Sequence, residues 1–116
     1  MKLYNRKDFL NLPEGVIFCK GKPWYFEEMS VKGESLPNDF IYLGLQWVEA
    51  EGSDEASELL DAMEKTGASG NMQDSWGRDG CFDDDDLFLV YETPDLKRIQ
   101  KYISNAIKLN NAPNKE

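Results

Sequence analysis

Histidine is absent from this 116-residue sequence. That absence excludes Ser-His-Asp and Cys-His nucleophile systems, paired-histidine phosphoester chemistry and most zinc sites. Cysteine is nearly absent: Cys19 and Cys81 lie 62 positions apart, without CxxC spacing, so two reduced thiols are expected, with Cys19 packed in a strand. No apolar run reaches the roughly 18 residues a membrane span requires, and the start MKLYNRKDFLNLPEG is charged rather than greasy. No membrane partner and a cytoplasmic location are therefore expected. No Gly-rich stretch matches a phosphate-binding loop or a dinucleotide fingerprint, and no cofactor is expected. Bases are scarce: 13 Lys and Arg stand against 22 Asp and Glu, a formal charge of -9 that disfavours direct binding to nucleic acid.

Bulky apolar residues are present in quantity, 41% hydrophobic and 12% aromatic, which is enough for one packed core and argues against general disorder. Asn5 is placed to cap a short helix that Leu-Pro-Glu-Gly at 12–15 stops. Val16 to Lys20 reads as a strand, Gly21-Lys22-Pro23 as a turn, Trp24-Tyr25-Phe26 as the start of a second strand reaching Lys32, and Gly33 to Asn38 as a loop. Phe40 to Leu43 and Leu45 to Glu49 flank Gly44 as two strands or one bulged strand. Ser53 should cap a helix carrying Ala56, Leu59, Leu60 and Met63 and ending near Gly67. Leu87 to Tyr91 reads as a central strand, and Thr93-Pro94-Asp95 as a helix start with Thr93 as cap. Leu96, Ile99, Ile103 and Ile107 form a stripe expected to pack on the sheet. The expected fold is α+β: a single domain over residues 1–109, with an antiparallel sheet of about four to six strands packed by two main helices. Residues 110–116 are expected to be a flexible C-terminal tail.

The negative charge belongs to the middle of the chain. Between Glu49 and Asp86 there are thirteen acids and two bases, Lys65 and Arg78, whereas Thr93 to the end holds five bases and two acids. Asp83, Asp84, Asp85 and Asp86 invite a metal reading, but four consecutive side chains cannot all face one ion, and an EF-hand alignment puts Ser75 and Gly77 at ligand positions. No metal site is expected. The run reads instead as a solvated turn or, with Glu55, Glu58 and Asp61 on the preceding helix, as a partner-binding acidic surface. On the acidic-surface reading, exchanging the four aspartates for asparagine should preserve or slightly raise stability while slowing partner association, whereas a solvating role predicts unchanged binding. Trp76 and Arg78, with Gly77 and Gly80 allowing close approach, form an alternative ligand site for a phosphate or carboxylate; the plainer reading has Arg78 neutralising nearby aspartates and Trp76 plugging the core.

The Leu-Pro-Glu-Gly-Val-Ile-Phe segment at 12–18, Val31-Lys32-Gly33-Glu34, Asp39-Phe40-Ile41-Tyr42 and especially RDGCFDDDDLFLVYE at 78–92 resemble a group of small uncharacterised proteins encoded by bacteriophages and prophages. The resemblance covers most of the chain and implies a setting, action on a host machine, without a chemistry. The leading expectation is a non-enzymatic binding protein whose acidic surface mimics nucleic acid. Its partner would be a basic host protein, such as a defence nuclease or DNA-binding protein. The alternatives are a binder of a nucleotide signal and a virion assembly protein, the latter expected to form a stable oligomer through an apolar interface.

Overall fold

The computed structural model describes residues 1–80 and 83–111. The chain is α+β, as the sequence indicates, with one antiparallel sheet in the order β1-β6-β2-β3-β4-β5. The strands are β1 (Lys2–Asn5), β2 (Ile17–Lys22), β3 (Tyr25–Leu36), β4 (Asp39–Gly44), β5 (Gly77–Arg78) and β6 (Leu87–Val90). The helices are α1 (Arg6–Leu10), α2 (Ser53–Thr66) and α3 (Thr93–Asn110). Cys81 and residues 112–116 of the tail expected at 110–116 lie outside the described residues, while Asn110 still belongs to α3 and Asn111 caps it.

One face of the sheet carries the core. Alternation along the strands turns Phe18, Val90, Phe88, Phe40 and Tyr42 toward α1, where Phe9 fills the centre. Phe9 stacks on Phe88 at 4.1 Å between centroids and meets Phe18 at 4.8 Å and Phe40 at 5.1 Å. Asn5 Oδ1 accepts the Asp8 N–H at 2.8 Å, so the expected cap holds the short helix over this cluster.

Several local expectations shift for physical reasons. The turn is at Pro23-Trp24 rather than Gly21, because Gly21 lies within β2 under a bulge of β3. A Cβ there would stand 2.2 Å from the Tyr25 carbonyl oxygen, so only glycine admits the crossing strand. Gly33 to Leu36 is strand and not loop; a second bulge between Lys32 and Ser35 absorbs the glycine. Gly52, not Ser53, occupies the N-cap of α2, which ends as expected at Gly67 in the left-handed region (φ 72°). For α3 the cap is Glu92 rather than Thr93, in a capping box in which the Glu92 N–H donates to Asp95 Oδ2 at 2.9 Å. Strand β1, too short and polar to show a two-residue period, was not legible in advance.

The expected burial of the last helix is overturned. Leu96, Ile103 and Ile107 are 38%, 54% and 54% exposed, no α3 residue is buried, and every residue from Gln100 to Asn111 is exposed. The helix meets the sheet only at the end where β6 finishes and β2 begins, through Leu96, Ile99 and Ile103 over Ile17, Met29 and Leu45. Nor does α2 cover the sheet: Leu59 and Met63 turn toward Gly70, on the strand-like segment bridged by Val48 and Met72. The packing expected of two long helices falls to five-residue α1.

Candidate binding surfaces

The aspartate run is folded inward at its end. Asp86 is buried, and its carboxylate accepts from Arg6 Nη2 at 3.0 Å and pairs with Lys22 at 3.1 Å and Lys20 at 3.4 Å. Asp79 completes the cluster, with Arg6 at 3.0 Å and Lys20 at 2.7 Å, and Asp83 pairs with Lys22. The Arg6 guanidinium also lies 5.6 Å from the centre of the Phe88 ring and 5.9 Å from that of Phe40, joining the ion network to the aromatic core.

The protonation balance follows this geometry. Asp83 holds the Lys22 ammonium up to about 12, with burial opposing and Asp86 assisting. Lys22, aided by the Asp85 N–H, holds the Asp83 carboxyl below its ordinary value. The run is thus a turn solvated at Asp83, Asp84 and Asp85, as expected, and folded inward only at Asp86. Asp84 and Asp85 are exposed and form no ion pair among the described residues, while exposed Asp83 and buried Asp86 are paired with cations of the same chain. The expected neutrality of the four-asparagine exchange does not fit this geometry, because the exchange would take both acids from Lys22 and leave Arg6 and Lys20 with Asp79 as their one acid among the described residues.

Trp76 and Arg78 share an edge but do not form a closed site. Arg78 Nε donates to Asp39 Oδ2 at 2.8 Å from an edge strand, with most of its side chain in solvent. Trp76 is half-exposed and lies against Gly33, so it is not the core plug considered above. Asp39 is fully buried. Burial pushes its carboxyl up, but Arg78 and the N–H groups of Phe40 and Gly80 outweigh that and hold it below its ordinary value of 3.8. A depressed carboxyl contributes stability above its unfolded pKa and loses it as pH falls through the folded one. Urea midpoints should therefore hold down to about pH 4 and drop below it, and Asp39→Asn should flatten that acid limb. Equal pH slopes in both proteins would refute the assignment.

The acids on α2 have a different environment. From Glu49 to Thr66 there are seven acids and one base, and among the described residues the only ion pair there is Asp61 with Lys65, at 3.0 Å on the helix surface. Glu55 and Glu58 are exposed and, with Glu49, Leu59, Ser69 and Asn71, line an open cleft of about 430 Å³. Glu49 is held in place by the Ser75 hydroxyl at 2.6 Å and the Asp74 N–H at 2.7 Å, which depress its carboxyl and keep it ionised.

No protein-family model, curated protein or solved structure matches this chain. The surfaces must be read from their own chemistry. Glu55 and Glu58 line one cleft and Asp83 to Asp86 another, of about 590 Å³ beside Lys22 and Trp24, and the two share no residue. Among the described residues no three carboxylate or thiol groups converge as a metal site would require, and no helix is long and apolar enough to cross a membrane.

Sequence reasoning missed Arg6, Lys20, Lys22 and Asp79 as the partners of the aspartate run. A signal existed in Lys20 and Lys22, which continue the alternation of Phe18 along β2 and so bring two cations to the core face. It also missed Trp47 and Met72, which stand 49% and 64% exposed on the segments that the Val48–Met72 bridge joins.

Proposed function

We propose that this chain is a non-enzymatic protein-binding domain whose acidic α2 lobe docks on the basic surface of a nucleic-acid-binding protein, in the manner of a phage inhibitor of a host machine. The observation that carries the reading is the exposure of the α2 carboxylates, set against the internal neutralisation of Asp83 and Asp86. Glu55, Glu58 and Asp61 take the leading role; Asp84 and Asp85 remain as a secondary acidic point. Exposed Trp47 and Met72 supply the apolar contact a purely electrostatic surface lacks, and the Trp47 ring suits a lysine or arginine of the partner. The internal cations point the same way, because Arg6, Lys20 and Lys22 are engaged with aspartates rather than offered to an anionic substrate.

The test is binding kinetics. Host nucleic-acid-binding proteins captured on the immobilised chain should associate quickly at low salt and at least about tenfold more slowly at high salt. The Glu55→Lys/Glu58→Lys/Asp61→Lys variant should lose about two further orders of magnitude in association rate, whereas Asp84→Asn/Asp85→Asn should change it by less than about threefold. Salt-independent capture, or full capture by the charge-reversed variant, would remove α2 from the interface and this reading with it.

A further inference from the structure

The second face of the sheet is apolar and only partly covered. Ile17, Met29, Val31, Ile41, Leu43 and Leu89 alternate onto the side away from Phe9, and none of the six is fully buried. Only the first half of α3 reaches this face, leaving an apolar groove of about 380 Å³ where it crosses Ile17, Met29 and Leu45. The rest of α3 projects outward, with Ile107 on its apolar stripe, Ile103 at the rim of the groove and 54% exposed, and Lys101 and Lys108 beside them.

From this arrangement we infer that the chain forms a two-fold dimer in which the projecting half of α3 from each copy covers the open sheet face of the other. Three arguments, from surface, shape and charge, support a second copy as the occupant. The accessible surface is 8443 Å², whereas a 13.3 kDa monomer is expected to show roughly 6,400 Å², an excess of roughly 2,000 Å². That is the area a protomer of an obligate dimer buries, and more than the roughly 800 Å² per partner of an ordinary interface. The radius of gyration is 16.8 Å against about 13 Å for a compact chain of this length, and the molecule is 48 Å long.

Charge supplies the third argument. Two chains of -9 repel, but the half-helix each would donate is basic, with Lys101 and Lys108 beside the apolar stripe and no acid from Gln100 to Asn110, and it enters a chain that is otherwise acidic. A stripe and a face of matching apolar character in the same chain form a self-complementary pair, which two-fold symmetry satisfies twice. This surface does not involve the acidic residues of α2, so it stands or falls separately from the proposed binding function.

Sedimentation equilibrium of the full chain at about 5–100 µM should give twice the chain mass, and the melting temperature should rise with protein concentration over the same range. Ile103→Asp/Ile107→Asp should weaken association at least about a hundredfold and yield a monomer that keeps its far-ultraviolet helix and strand signal, because neither side chain lies in the Phe9 core. A wild-type chain that is monomeric throughout that range, or a double variant that remains dimeric, overturns the inference. If the double variant does not fold, the wild-type mass and the concentration dependence of its melting decide alone: both present support the dimer, and either one absent overturns it.

Discussion

Replacing Arg6 with alanine should lower the unfolding free energy by about 3–5 kcal/mol, the range for removing one partner of a buried ion pair and leaving the opposite charge uncompensated. Arg6 is the most buried cation of its network, 4% exposed at the side chain, and its Nη2 serves both Asp79 and Asp86, themselves 7% and 6% exposed. Lys20 and Lys22 stay behind to compensate part of that charge, which places the loss within the range and not above it. Arg6→Lys should lose less than alanine because it keeps a cation opposite Asp79 and Asp86, yet it should still lose stability, since one ammonium cannot reproduce a guanidinium lying across two aromatic rings. Within the aspartate run the effect should be graded: Asp86→Asn should cost about 2 kcal/mol or more, while Asp84→Asn and Asp85→Asn should stay within about 0.5 kcal/mol. Urea denaturation of these five variants beside the wild type reads the order directly. An Arg6→Ala loss under about 1 kcal/mol, or equal costs along the run, would mean that the cluster is solvated and the acidic loop free.

How much of this was legible follows from the range of each signal. Local chemistry was readable: the Asn5 cap, the Gly67 stop, the β-branched and aromatic strands around Phe18 and Phe88, and the α+β class all rest on neighbouring residues. The failures share one cause, which is that a periodic stripe says a helix has an apolar face but not what that face meets. Leu96, Ile99, Ile103 and Ile107 have the spacing of a core helix, yet the buried position belongs to Phe9 on a helix of five residues. The acidic run failed in the same way. Asp83 to Asp86 read as exposed because nothing nearby in sequence balances them, and the balancing cations, Arg6, Lys20 and Lys22, lie some sixty to eighty positions away and arrive through the pairing of β6 with β1 and β2.

Phe9 bears the complementary prediction, because a helix of five residues has no stability of its own and is held only by what it inserts and by its cap. Phe9 is fully buried, its ring stacks on Phe88 and meets Phe18 and Phe40, and the Lys32 ammonium stands 5.8 Å from its centre. Phe9→Ala therefore removes the common member of several aromatic contacts and opens a void that a rigid sheet cannot close. The expected cost is about 3–5 kcal/mol. Burial already pulls the Lys32 ammonium below its ordinary pKa, so a void beside it invites water to the buried amine and loosens the α1 seat further. At roughly 4 °C per kcal/mol for a chain of this size, the melting temperature should fall by about 12–20 °C. Phe9→Leu, which keeps most of the volume, should lose less than half as much. The contrast with the last helix makes the test sharp: Ile103→Ala at a protein concentration too low for association should shift melting by less than about 4 °C, because that side chain meets mainly water within one chain. If Phe9→Ala melts within about 4 °C of the wild type while Ile103→Ala falls further, the hydrophobic centre lies under α3 and not under α1.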